Sequence, residues 1–86
     1  MAKYSLEIKK SAAKEIENLP KHELQIILRK IHSLTENPRP PGYEKLSGQD
    51  KYRIRCGDYR ILYTIEDMVL IVCVVKVGHR QDVYRR

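Results

Sequence analysis

Tryptophan and phenylalanine are absent from this chain of 86 residues, so six tyrosines carry all of its aromatic packing. Cysteine occurs only twice, at Cys56 and Cys73, without the spacing of a metal-ligand pattern, and both read as structural thiols. The longest apolar run, Met68 to Val75, is far too short to span a bilayer. The opening Met-Ala-Lys-Tyr-Ser has no apolar core of the signal-peptide kind. No repeat, low-complexity segment or second domain is visible. These absences argue against a membrane protein and a metal module, and lead to the expectation of a soluble, cytoplasmic single domain over residues 1–86 with one modest core.

What the chain has in excess is positive charge. Lys and Arg number 17 against 11 acidic residues, giving a net charge of +6 and a pI near 9.5. Such a balance favours a polyanionic partner: nucleic acid, an acidic protein or, least of all, an anionic membrane surface.

Periodicity supplies the elements. Tyr4, Leu6 and Ile8 alternate with Ser5, Glu7 and Lys9, the pattern of a strand with one buried face. Ser11 is placed to cap a short helix over about residues 11–19, with Ala12, Ile16 and Leu19 inward. Pro20 stops it and can start the next helix. There Leu24, Ile27, Leu28, Ile31 and Leu34 form an apolar stripe that ends at Asn37-Pro38. Residues 38–50 read as the only long loop. Its Arg39 and Lys45 are either contacts for a partner or solvated charges. A last strand, Met68 to Val77, is apolar on both faces and should lie centrally, covered on both sides, with Gly78 ending or bending it. The fold class is therefore α+β, in the order β-α-α-β-β-β: a two-helix hairpin on one face of a small, mostly antiparallel sheet.

The most informative stretch is 52–63, Tyr-Arg-Ile-Arg-Cys-Gly-Asp-Tyr-Arg-Ile-Leu-Tyr. Two alternating runs flank Gly57-Asp58, which predicts a β-hairpin with a two-residue loop. In that register Arg55 faces Arg60, Arg53 faces Leu62 and Tyr52 faces Tyr63. Tyr52, Ile54, Cys56, Tyr59, Ile61 and Tyr63 then share one face, and Arg53, Arg55 and Arg60 share the other. Like charges placed opposite each other destabilise a sheet. Three arginines converging with no acid on their face suit an anion such as phosphate; the alternative is a solvated arginine face. If the next turn is Glu66-Asp67, Cys73 pairs with Arg60 on the side opposite Cys56, so the two thiols do not bridge. His79 and Arg80 would line the rim of the arginine cleft.

These residues resemble the RelE-like branch of the RelE/ParE toxin superfamily. The hairpin, the following Val-Gly-His-Arg and Asp-Val-Tyr, and the preceding Asn-Pro-Arg-Pro-Pro-Gly-Tyr-Glu-Lys-Leu-Ser-Gly carry the likeness over essentially the whole chain. The resemblance implies the toxin of a type II toxin–antitoxin pair. Such a toxin cleaves mRNA in the ribosomal decoding site, needs no metal or organic cofactor, and is neutralised by an antitoxin, here expected to be acidic and to form a hetero-oligomer with it. Family positions fall on Arg53 and Arg55, Arg60, Arg80 and Tyr84. Lys51, Arg85 and Arg86 extend the basic surface offered to RNA, and no membrane is involved. One departure is chemical: family members often have lysine at one or both of the first two positions. Arginine effectively cannot lose its proton, which removes a proton-accepting role from Arg53 and Arg55.

Metal-free RNA cleavage uses the 2′-hydroxyl as nucleophile and needs charge for the phosphorane, a base and an acid. The arginines suit the first need. His79, which titrates near neutrality, is the expected base or acid, with a strand-end surface imidazole as the alternative. Tyr84 would stack on a base or orient the 2′-hydroxyl, unless it merely packs the tail. Two rivals share the fold: a ParE-like inhibitor of DNA gyrase and a non-catalytic RNA- or ribosome-binding protein.

Overall fold

A computed structural model describes residues 3–79. Its elements are β1 (Ser5–Ile8), α1 (Lys10–Glu17), α2 (Lys21–Ser33), β2 (Glu44–Lys45), β3 (Tyr52–Cys56), β4 (Tyr59–Glu66) and β5 (Ile71–His79). The strands form one sheet in the order β1-β5-β4-β3-β2. Among the described strands β1 and β5 pair in parallel, and the other neighbours run antiparallel. The expected α+β architecture holds, with one strand more than the sequence disclosed.

That strand, β2, lies inside the stretch read as a loop. Its entry follows from Pro40-Pro41-Gly42-Tyr43. Tyr43 N–H donates to the Pro40 carbonyl at 3.0 Å and Gly42 has φ +94°, the pattern of a type II turn with proline second and glycine third. The chain leaves this turn extended, and Glu44 and Lys45 pair with Arg53 and Tyr52.

The start of α1 also differs from expectation. Lys9, not Ser11, occupies the cap position, and no side chain caps the helix. The Lys9 N–H donates to the Val74 carbonyl at 2.8 Å while its own carbonyl accepts from Ala13 at 2.9 Å. Sheet pairing thus runs directly into the first helical turn, and Ser11 falls inside it. Pro20 acts as expected, since its carbonyl accepts from Leu24 at 2.8 Å and opens α2.

The core lies between the helices and one face of the sheet. Ala12, Ile16, Ile27, Ile31 and Leu34 meet Ile54, Ile61, Tyr63, Val72, Val74 and Val77, all buried. Leu28, assigned to the apolar stripe, stays 42% exposed. Val72, Val74 and Val77 do not keep a strict period of two. Leu62 pairs with Lys76 but Tyr63 pairs with Val74, so Val75 is an extra residue, a β-bulge, in β5. The bulge keeps Val77 on the core side after the alternation has slipped. β5 is interior to the sheet as expected, but its second face is only half-buried at Ile71, Cys73 and Val75. Met68 and Val69 belong to the turn 67–70, not to the strand. That longer turn puts Cys73 opposite Thr64 rather than Arg60. Both cysteines are free thiols, and burial pushes both up from their ordinary range.

Side-chain hydrogen bonds fasten the loop 34–43 to the sheet and to the turn after β4. The Tyr63 hydroxyl donates to the buried Pro38 carbonyl at 2.7 Å, and burial raises its pKa to about 12. Asp67 accepts from Tyr4 at 2.6 Å and from both terminal nitrogens of Arg39 at 3.2 and 2.9 Å. Arg39 also lies over the Tyr52 ring, 5.5 Å from its centroid. Its charge is thus engaged within the fold.

Tyr63→Phe should cost about 1 kcal/mol in urea unfolding, because it leaves a buried carbonyl without its donor while preserving the ring. The Asp67 cluster predicts a pH effect. Arg39, and then Tyr4, hold the Asp67 carboxyl down at about 2. A depressed folded pKa stabilises fully above the unfolded value near 4 and ceases to do so as pH falls through about 2. Wild type should therefore exceed Asp67→Asn in unfolding midpoint at pH 6, and the gap should close progressively between about pH 4 and pH 2.

Candidate functional site

The hairpin adopts the predicted register: Cys56 opposite Tyr59, Arg55 opposite Arg60, Ile54 opposite Ile61, Arg53 opposite Leu62 and Tyr52 opposite Tyr63. Gly57 has φ +61° while Asp58 does not enter the left-handed region, as in a type II′ turn with glycine first. A two-residue loop leaves no slack, so the turn fixes which side chains share a face.

Arg53, Arg55 and Arg60 consequently line one pocket of about 270 Å³, together with Gly42 and Glu44. Arg60 is 6% exposed, Arg53 is half-buried and Arg55 is exposed. Across β4, Arg60 faces Gly78, which places no side chain against it. Gly78 lies within β5 rather than ending it.

An acid does share this face, contrary to expectation. Glu44 stands directly opposite Arg53 and pairs with its guanidinium. That hydrogen bond, then the charge of Arg53 and those of Arg55 and Arg60, holds the Glu44 carboxyl below its usual range. Three cations and one anion leave the pocket with two net positive charges. The signal that could have revealed Glu44 is Pro-Pro-Gly-Tyr: a type II turn delivers an extended chain, and an extended chain beside an edge strand pairs with it.

His79 lies elsewhere. It is paired with Tyr59, and the two rings meet edge to face at 5.7 Å. Tyr59 belongs to the Ile54–Ile61–Tyr63 side of the hairpin, so His79 is on the helix side, opposite the arginines. It lines a separate, open depression with Glu15, Asn18, Leu19, Tyr59 and Lys76. The Val75 bulge is the physical reason, because one inserted residue reverses the facing of every side chain beyond it. Lys51 is exposed at the foot of β3 and is not among the residues lining the arginine pocket. Arg80, Tyr84, Arg85 and Arg86 lie outside the described residues. Among the described residues, no three His, Cys, Asp or Glu side chains group as a metal site, and no helix is long and apolar enough to cross a membrane.

The fold and the sequence both have relatives. The family model described as ParE toxin of type II toxin–antitoxin system, parDE, matches residues 6–84. An Escherichia coli protein named as a RelE-like toxin is 33% identical over 86 residues, 95% of this chain and 90% of that one. The protein named toxin RelE1 in Methanocaldococcus jannaschii is 30% identical over 87 residues, 96% of this chain and 97% of that one. The crystal structure of the archaeal RelE–RelB complex from Pyrococcus horikoshii superposes with a TM-score of 0.82 at 29% identity, covering 98% of this chain and 99% of that one. With a family model spanning nearly the whole chain, and an arginine hairpin of the kind its sequence resembles, this protein belongs to the RelE/ParE family as a RelE-like toxin of a type II toxin–antitoxin system.

Proposed function

We propose that this toxin is a metal-free endoribonuclease that cuts mRNA held in the ribosomal decoding site and so arrests translation in the cytoplasm. The observation that carries the reading is the convergence of Arg53, Arg55 and Arg60 on one pocket of about 270 Å³. Guanidinium groups present a fixed fork of donors that matches phosphate oxygens, and they remain charged throughout. In the reaction the RNA 2′-oxygen attacks the adjacent phosphorus and its proton leaves. The bond to the 5′-oxygen then breaks and that oxygen takes up a proton. A 2′,3′-cyclic phosphate and a 5′-hydroxyl remain. Negative charge accumulates on the phosphorane oxygens, where preorganised donors act most strongly. Arg80 and Tyr84 join the site on the strength of the sequence alone. His79, across the sheet against Tyr59, has no approach to the arginines.

The ribosome contributes by holding the message bent, since positioning alone lowers a barrier by several kcal/mol. An acidic antitoxin is the natural neutralising partner for a chain of net charge +6, and the archaeal relative was solved with RelB bound. A second reading has the family model's description behind it: a ParE-like inhibitor of gyrase that leaves RNA intact.

Primer extension on a translated message decides between them. Wild type should produce cuts within codons, and Arg55→Ala, which alters an exposed residue, should lower the cutting rate by about 10²-fold. Arg60→Lys should also lose most activity, because an ammonium cannot reproduce the planar fork. Full-rate cutting by both variants would remove the arginines from the chemistry. An intact message together with inhibition of gyrase supercoiling would establish the second reading instead. A separate expectation concerns salt: binding to RNA should weaken linearly on a log–log plot, with a slope of about −0.7 for each phosphate contact.

A further inference from the structure

Glu44 is an unexpected occupant of a pocket built for anions. The type II turn at Pro40–Tyr43 places it there, and its pairing with Arg53 puts the carboxylate on the arginine face. Its exposure also matters. The Glu44 side chain is 60% exposed against 20% for Arg53, so the carboxylate is the more solvent-facing partner of the pair. A carboxylate and a phosphodiester use the same guanidinium donors, so they compete for them.

We infer that Glu44 is the internal counter-anion of the arginine pocket, engaging Arg53 in the free toxin and yielding that guanidinium to an RNA phosphate on binding. The inference rests on the reading of the pocket as a phosphate site. Two effects of the carboxylate oppose each other. It relieves repulsion among three cations and steadies Arg53, which favours binding. It also competes for the guanidinium and repels phosphate, which opposes binding. The competing effect dominates, for two reasons. Arg53 belongs to a strand whose register is already fixed by the hairpin, so it needs little help to point into the pocket. Charge pairs that face water are weak and easily exchanged. Their mutual neutralisation also depresses the pocket's field, so fewer counterions are released when RNA binds.

The full-length toxin and its Glu44→Gln and Arg55→Ala variants would be titrated with inorganic phosphate, and with an RNA carrying a 2′-O-methyl group at the cleaved position so that no cutting occurs. Glu44→Gln is nearly isosteric at an exposed edge position, and a urea unfolding curve confirms its fold. It should bind the RNA about two- to tenfold tighter than wild type. Its log K against log salt plot should be steeper by about 0.7, one further phosphate contact's worth. Unchanged or weaker binding by Glu44→Gln, with wild type still binding phosphate through Arg55, would overturn the counter-anion role and leave the phosphate site standing. No phosphate or RNA binding by wild type, or no difference between wild type and Arg55→Ala, would overturn the phosphate site and the counter-anion together.

Discussion

The site depends on one constraint, the two-residue turn at Gly57-Asp58. With Gly57 in the left-handed region and no spare residue in the loop, Arg55 has no choice but to face Arg60. A loop longer by one residue would send half of the hairpin's side chains to the other face. On the displaced strand the tyrosines and isoleucine would then leave the core and an arginine would enter it. The apolar half of the hairpin therefore enforces the geometry of the charged half. Burial of Ile54, Ile61 and Tyr63 offsets the repulsion between guanidinium groups that would otherwise spread apart.

Legibility in the sequence followed the strength of the periodic signal. The hairpin could be read pair by pair because alternation, turn residues and loop length agreed. The two helices and the mostly antiparallel character of the sheet came from equally plain patterns or from the family likeness. Three features were hidden. The strand Glu44–Lys45 is too short to have a period. The turn at 67–70 begins one residue later and runs longer than Glu66-Asp67, since Met68 and Val69 look like strand residues while being exposed. The Val75 bulge closes the apolar run Ile71–Val75, where no polar residue marks which face is which, and Lys76 alone is too little to reveal a slipped alternation.

These hidden features matter to the chemistry more than the visible ones. The short strand brings a carboxylate into a pocket that otherwise holds only cations among its charged groups. The bulge removes an imidazole from it. A site read from composition and spacing as arginines plus a histidine becomes, among the described residues, arginines plus a glutamate. Local rules grouped Arg53, Arg55 and Arg60 on one face, as the hairpin register has them, whereas Glu44 and His79 were redistributed by sheet irregularities that act over several strands.

The parallel pairing of β1 with β5 joins Ser5–Ile8 to Ile71–Val74, the first described strand to the last. A ribosome making this protein releases β1 long before its neighbour exists. The arginine hairpin, by contrast, is assembled from residues close together in sequence and can form early. During synthesis the first strand waits with its backbone groups unmatched. The sheet closes only when the last strand has emerged, so a chain cut short before β5 would carry the charged hairpin without the frame that holds it.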